Sequence, residues 1–148
     1  MAQLDGHRPF KTSTEDIKKM PVNVTLEQLS GDYAVCLLGA TTPVPDWAAG
    51  DGFVNVSRGD DELSIVCRAD RVPEDVECEA GWTAFKLTGK FAFDETGIVL
   101  SVIRPLSSNG LGVFVVSTFH RDYLLVKTAE LSNAVQGLSE AGHFVTLQ

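Results

Sequence analysis

The chain has 148 residues, 44% of them apolar, which suits one medium domain or two small packed ones and is long enough to bury roughly two-thirds of the unfolded surface. A formal net charge of −8 argues against a nucleic-acid backbone as partner, because such binders carry a basic patch. With no basic amphipathic segment, no N-terminal apolar run long enough for a signal peptide and no stretch of about eighteen apolar residues, the sequence predicts no membrane partner and a soluble, cytoplasmic protein.

Residues 1–21 are polar and charged without a sustained period and read as a disordered tail ending at Pro21. Val22, Val24 and Leu26 then alternate with polar residues, the period of a half-buried strand. The turn signal Ser30-Gly31-Asp32 follows, and Tyr33 to Leu38 is a second strand, so the pair is expected to form a hairpin. Thr41 to Ala49 contains two prolines and leaves room for one helical turn from Asp46, with Trp47 as a lid over the core. Phe53–Ser57 and Leu63–Cys67 are strands joined by the turn Arg58-Gly59-Asp60-Asp61, and Asp70–Val76 is turn chemistry. Trp82–Leu87 alternates as a strand.

In the second half, Ile98, Val99, Val102, Ile103 and Leu106 fall at helical spacing. Asp94 or Thr96 is expected to cap that helix, Pro105 to kink or shorten its end, and Gly110 to stop it. Val113–Thr118 and Tyr123–Val126 are buried strands joined by a tight turn around His120-Arg121. Thr128 opens a second helix with Leu131, Val135 and Leu138 on one face and Gly142 as its stop; His143–Leu147 is a final strand. Strand, helix, strand, strand, helix, strand is the ferredoxin-like split βαβ order. The first half reads as a degenerate copy with shortened helices, offset by sixty residues so that Ser57 falls on Ser117 and Glu62 on Asp122. The predicted class is therefore α+β, two ferredoxin-like halves packed together, 22–81 and 82–148.

Cys36, Cys67 and Cys78 are an odd set without a C-x-x-C pair and read as buried, reduced thiols rather than a disulfide or metal site. The acids Asp60, Asp61 and Glu62 lack EF-hand spacing, and His7, His120 and His143 lack zinc spacing, so no metal and no cofactor is expected. Ser117, His120 and Asp122 are the residue types of a hydrolase triad, but three residues on one hairpin rarely form hydrogen bonds in series, and the hydrolase reading ranks last. A different constellation is better matched. Gly97 lets backbone approach closely, the free N–H groups of the helix start attract a carboxylate, and Asp122 suits an ammonium or guanidinium. Together these fit an amino-acid zwitterion. The same residues also read as a helix cap and a surface turn acid.

The run TGIVLSVIRPLSSNGLGVFVVSTFHRDYLLV, from Thr96, resembles the ACT-domain proteins of the aspartate-kinase-like, CASTOR-type branch, with a T-G-I helix opening, a strand ending S-T-F and a following D-Y-x-L-V. GDYAVC, PVPDWA, FVNVSRGDDELSIVC and GWTAFKLTGKFAFD resemble small bacterial proteins of two ACT-like halves, and the likeness extends from Leu29 to Val145. It implies βαββαβ units, a non-catalytic regulatory role and a small amino-acid-like ligand held at an interface between ACT units. Carried over by motif, the ligand-binding residues are Thr96, Gly97, Ile98, Ser117, Thr118, Phe119 and Asp122, completed by a second copy in a homodimer. A protein-interaction or oligomerisation module without ligand is the alternative.

Overall fold

The longest strand, Glu77–Thr88 (β5), is twelve residues, about 40 Å, and runs through the whole molecule. The structure, a computed structural model, describes residues 22–89 and 96–148; the expected tail at 1–21 and the candidate cap Asp94 lie outside them. The other strands are β1 (Thr25–Gln28), β2 (Tyr33–Leu38), β3 (Asn55–Arg58), β4 (Leu63–Arg68), β6 (Val113–Ser117), β7 (Asp122–Lys127) and β8 (Phe144–Thr146). Among the described residues there are two α-helices, α1 (Ile98–Ser108) and α2 (Leu131–Glu140). None is long and apolar enough to cross a membrane.

Among the described residues all eight strands join one sheet, and β5 is central to both of its halves. The first half runs β3-β4-β2-β5, with 3-10 turns at Asp46–Ala48 and Ala69–Arg71 where helices would cross over. The second runs β6-β7-β5-β1-β8. Both are ferredoxin-like orders, so the fold is α+β with two βαββαβ halves. β5 is the fourth strand of one half and the first of the other.

β1 and β2 do not form the expected hairpin. They lie end to end on one edge of β5, β1 opposite Phe85–Thr88 and β2 opposite Glu77–Trp82. Alternation followed by a turn signal describes a strand that jogs as well as one that reverses. Here the jog is held by long-range bonds: Leu29 N–H donates to the Ala84 carbonyl, and the Asp32 carboxylate accepts the Gly81 N–H at 3.1 Å and the Thr128 hydroxyl at 3.3 Å. Gly81, with φ 83°, lies where the β2–β5 register shifts, as in a β-bulge. β1 also pairs in parallel with β8, which it separates from β5.

The helices cover one face of the second half. Val102 and Leu106 of α1 and Ala134 and Leu138 of α2 pack on Val24, Leu26, Phe85, Leu87, Leu124 and Val126. On the first half the short 3-10 segments cover Cys36, Leu63, Ile65 and Cys67. A third cluster draws on both halves, Tyr33, Phe53 and Val66 from one and Trp82, Val116 and Leu125 from the other. Phe53 stacks on Tyr123 with ring centroids 3.9 Å apart.

This packing corrects the internal repeat by one residue. The last pair of the β3–β4 ladder is Arg58↔Leu63 and that of β6–β7 is Ser117↔Asp122, an offset of fifty-nine. Ile65 then matches Leu124, both on the helix-covered face, and Val66 matches Leu125, both on the other. The expected offset of sixty put apolar residues on apolar residues but on opposite faces, since side chains alternate along a strand. Ser57 is therefore not the counterpart of Ser117; Arg58 is.

Both helices end in Schellman motifs. Gly110 donates to Ser107 and Leu111 to Leu106; Gly142 donates to Ser139 and His143 to Leu138. The glycine stops at 110 and 142 are as expected. The starts differ: Gly97 occupies the first cap and Glu130 the second, neither with a side-chain cap bond, and Thr128 begins a 3-10 turn ahead of α2. Proline at 105 has no N–H for the Ser101 carbonyl one turn back. That carbonyl instead accepts the buried His143 Nε2–H at 2.8 Å, while Nδ1 accepts the Val24 N–H at 3.1 Å. One imidazole thus ties α1 to the residue just before β1 in a single tautomer, its position set by the Schellman motif that ends α2.

Removing that ring strands a buried donor and a half-buried acceptor. We expect His143→Ala to lower stability by about 1–3 kcal/mol in urea unfolding. In a Pro105→Ala background the helix regains its own donor, and the same change should be milder by roughly 1 kcal/mol in a double-mutant cycle. Equal losses in both backgrounds would mean that the proline-freed carbonyl is not what the ring serves.

Candidate functional site

β5 and β6 both run antiparallel to β7 and hence point the same way. α1 ends four residues before β6 begins, and its eleven residues span about 16 Å, the length of the five-residue β6. The start of α1 is thereby level with Ser117, at the end of the second half where β7 begins. Thr96, Gly97 and Ile98 share this end with Ser117, Thr118, Phe119 and Asp122.

Gly97 is left-handed, φ 83° and ψ 0°, and its carbonyl accepts the first helical bond, from Ser101 N–H. That geometry turns the chain into the helix and leaves the N–H groups of Ile98, Val99 and Leu100 outside the helical ladder. The Ser101 hydroxyl folds back onto the Ile98 carbonyl at 2.6 Å. Thr96 is exposed and Ile98 packs against the helix-side core.

At the strand end the Ser117 hydroxyl donates to the Asp122 carboxylate. Thr118 closes the turn, its N–H and hydroxyl both donating to the Arg121 carbonyl at 2.8 and 2.9 Å. The Phe119 ring is 82% exposed and meets the His120 ring edge-on. Serine thus bonds aspartate directly, and His120 packs on Phe119, an order different from the serine–histidine–aspartate series of a hydrolase. The carboxylate is aimed and half-buried, with one oxygen engaged by the serine.

The matching end of the first half is built differently. Arg58, the counterpart of Ser117, donates through its guanidinium to the carbonyls of Ala40 and Thr42. The loop after β2 is thereby tied to the end of β3 by the chain's own side chain. A cavity of about 380 Å³ lies at the opposite end of α1, lined by Asn109, Leu111, Glu130, Asn133, Gln136 and Glu140. Sequence reasoning did not single it out. Its carboxylates are engaged, Glu130 by Asn133 at 3.0 Å and Glu140 by Gln136 at 3.1 Å. A Cβ on Gly137 in its wall would approach Asn109 Nδ2 to 2.5 Å, so the glycine lets α2 pass close to the end of α1.

Comparison with known proteins agrees with this architecture. The ACT-domain family matches residues 77–140, and a family defined as an N-terminal domain matches residues 31–75. Protein Atu0741 from Agobacterium tumefaciens is 53% identical over 85% of this chain and 94% of its own, with a TM-score of 0.82. VC0802 from Vibrio cholerae is 18% identical over 86% of this chain and 96% of its own, TM-score 0.69. The regulatory subunit of aspartate kinase from Thermus thermophilus is 13% identical over 81% of this chain and 97% of its own, TM-score 0.53. The last two are likenesses of fold. No curated protein matches the sequence. The chain thus carries an ACT domain over residues 77–140, and its fold is shared with the aspartate kinase regulatory subunits.

The left-handed Gly97 gives a direct test of how the helix opening is held. Gly97→Ala should destabilise by about 1–2 kcal/mol, because a Cβ is strained at that φ. Gly112→Ala, at a glycine of ordinary φ with open space around it, should leave the thermal midpoint within about a degree or raise it. Equal responses of the two variants would contradict the backbone geometry at Gly97.

Proposed function

We propose that this protein is a non-catalytic, cytoplasmic regulator that binds an amino acid or similar small zwitterion at an interface between ACT units of a homodimer. The ligand carboxylate meets the free N–H groups after Gly97, with Thr96 and Ile98 at the loop. The ligand cation meets Asp122, with Ser117, Thr118 and Phe119 at the strand end. The observation that carries the reading is the Asp122 carboxylate, oriented by Ser117, at the same end of the unit as the N-terminus of α1. An acid beside a helix N-terminus offers opposite partners to the two ends of a zwitterion. The binding unit is the second half, 82–148, with 22–81 as its degenerate companion. Arg58 bridging Ala40 and Thr42 supports one ligand per chain rather than two.

Regulation then follows from differential binding. The ligand shifts only an equilibrium between arrangements that it binds unequally, here two packings of the units across the dimer interface.

Calorimetry and thermal shift against the twenty amino acids test the reading. We expect at least one to bind with a stoichiometry of one per chain, and Asp122→Ala to weaken it by tenfold or more, about 1.4 kcal/mol, while the unliganded midpoint stays within a degree or two. No binding by any of the twenty at millimolar concentration would sink the amino-acid ligand.

A further inference from the structure

Three thiols stand side by side across three neighbouring strands. Cys36 of β2 is the direct antiparallel partner of Cys78 of β5. Cys67 of β4 is the partner of Ala34, which puts it diagonally beside Cys36 on the same face. Directly opposed residues on antiparallel strands have Cα atoms about 4.5–5.5 Å apart. That lies within the roughly 4.4–6.8 Å that a disulfide spans. All three are free thiols in this structure, but the expectation that all are buried fails at Cys78, which lies in the exposed first part of β5. Cys36 and Cys67 are buried; Cys78 is exposed.

We propose that Cys78 and Cys36 form a redox modification site, in which a peroxide oxidises Cys78 and Cys36 captures it as a reversible disulfide across β2 and β5. The oxidant meets Cys78 because the other two sulfurs are shielded. In the first step the Cys78 thiol takes one oxygen from hydrogen peroxide, giving Cys78 sulfenic acid and one water. In the second, the Cys36 sulfur attacks the Cys78 sulfur, the S–O bond breaks, a second water leaves with the Cys36 proton, and the S–S bond forms. Peroxide is reduced by two electrons and the two thiols are oxidised by two.

Burial first, and the neighbouring Cys67 and Cys78 next, push the Cys36 thiol up to about 12, while burial raises Cys67 as well. Burial thus disfavours the thiolate at both, so neither is the first target of the oxidant. Cys36 is then the resolving thiol by position rather than by intrinsic nucleophilicity. Among the described residues the three sulfurs do not belong to a group able to hold a metal ion. The bond would fix β2 to the first part of β5, just before the bulge at Gly81, so it acts on the strand that both halves share.

The test is peroxide treatment of the full-length protein, followed by denaturation, thiol alkylation and peptide mapping. We expect a peptide pair joined through Cys36 and Cys78, an intact mass lower by two hydrogens, and reversal by dithiothreitol. Cys78→Ser should show no such loss and keep Cys36 and Cys67 alkylatable after unfolding. Cys36→Ala should accumulate a Cys78 sulfenic acid that dimedone traps, several-fold above the wild-type level. A wild-type Cys78 that ends as a sulfinic acid, or as a bridge between two chains with Cys36 still reduced, overturns the proposal. Should Cys36→Ala fail to fold, the wild-type map and Cys78→Ser decide it alone.

Discussion

A β-strand has only two edges, and β5 has neighbours along both. One edge carries β1 and then β2; the other carries β7. Because the same twelve residues are the last strand of one half and the first of the next, neither half completes its sheet without the other. β1 deepens the dependence, since this opening segment of the first half lies inside the sheet of the second. Side chains reinforce the joint: Asp32 reaches Gly81 and Thr128, Phe53 stacks on Tyr123, and the Lys127 ammonium sits 4.2 Å over the Trp82 ring. The apolar cluster drawn from both halves buries this joint, so motion between them would expose aromatic surface.

The helices of the second half are fixed by a polar device inside that frame. Proline leaves a half-buried carbonyl without its helical donor, and an acceptor left unmet away from water costs more than the bond is worth once made. His143 meets it and accepts the Val24 N–H with its other nitrogen. The consequence reaches the candidate site, because the ring sets where α1 lies against β1 and so where its N-terminus stands relative to Ser117 and Asp122. The candidate site depends on a contact about one turn along the helix from its N-terminus.

The two halves share a plan and differ in chemistry at matching ends. Where the second half has Ser117 holding Asp122, the first has Arg58 donating into its own loop. Helix loss has the same sense. The first half covers its sheet with 3-10 turns, whereas the second keeps α1, whose free N–H groups are half of the proposed ligand site. On the proposed reading one half binds and the other supports. The thiol triplet sits on the first half, across β4, β2 and the first part of β5.

Much of this was legible in the residues alone. Period two in Trp82–Leu87, continuous apolar runs at Val113–Thr118 and Tyr123–Val126, helical spacing from Ile98 to Leu106, and glycines at 110 and 142 are local signals, each set by contacts within a few residues. They were enough for the elements, the α+β class and the ferredoxin-like order. Ser117 and Asp122 were readable as a pair because a four-residue turn forces strand ends together. Partner choice was not readable. Alternation in Val24 and Leu26 is the same whether β1 folds back on β2 or runs on beside β5, and the bonds that decide it come from Gly81, Ala84 and Thr128, far along the chain. Apolar residues aligned equally well at offsets of fifty-nine and sixty, and only the face each one covers in the folded sheet separates them. His143 looked like the first residue of a strand; its role exists because Pro105 and Val24, distant in sequence, arrive on either side of it. Local backbone preference names the pieces, while the edges and cavities that join them are settled by burial and hydrogen bonding between segments that sequence order keeps apart.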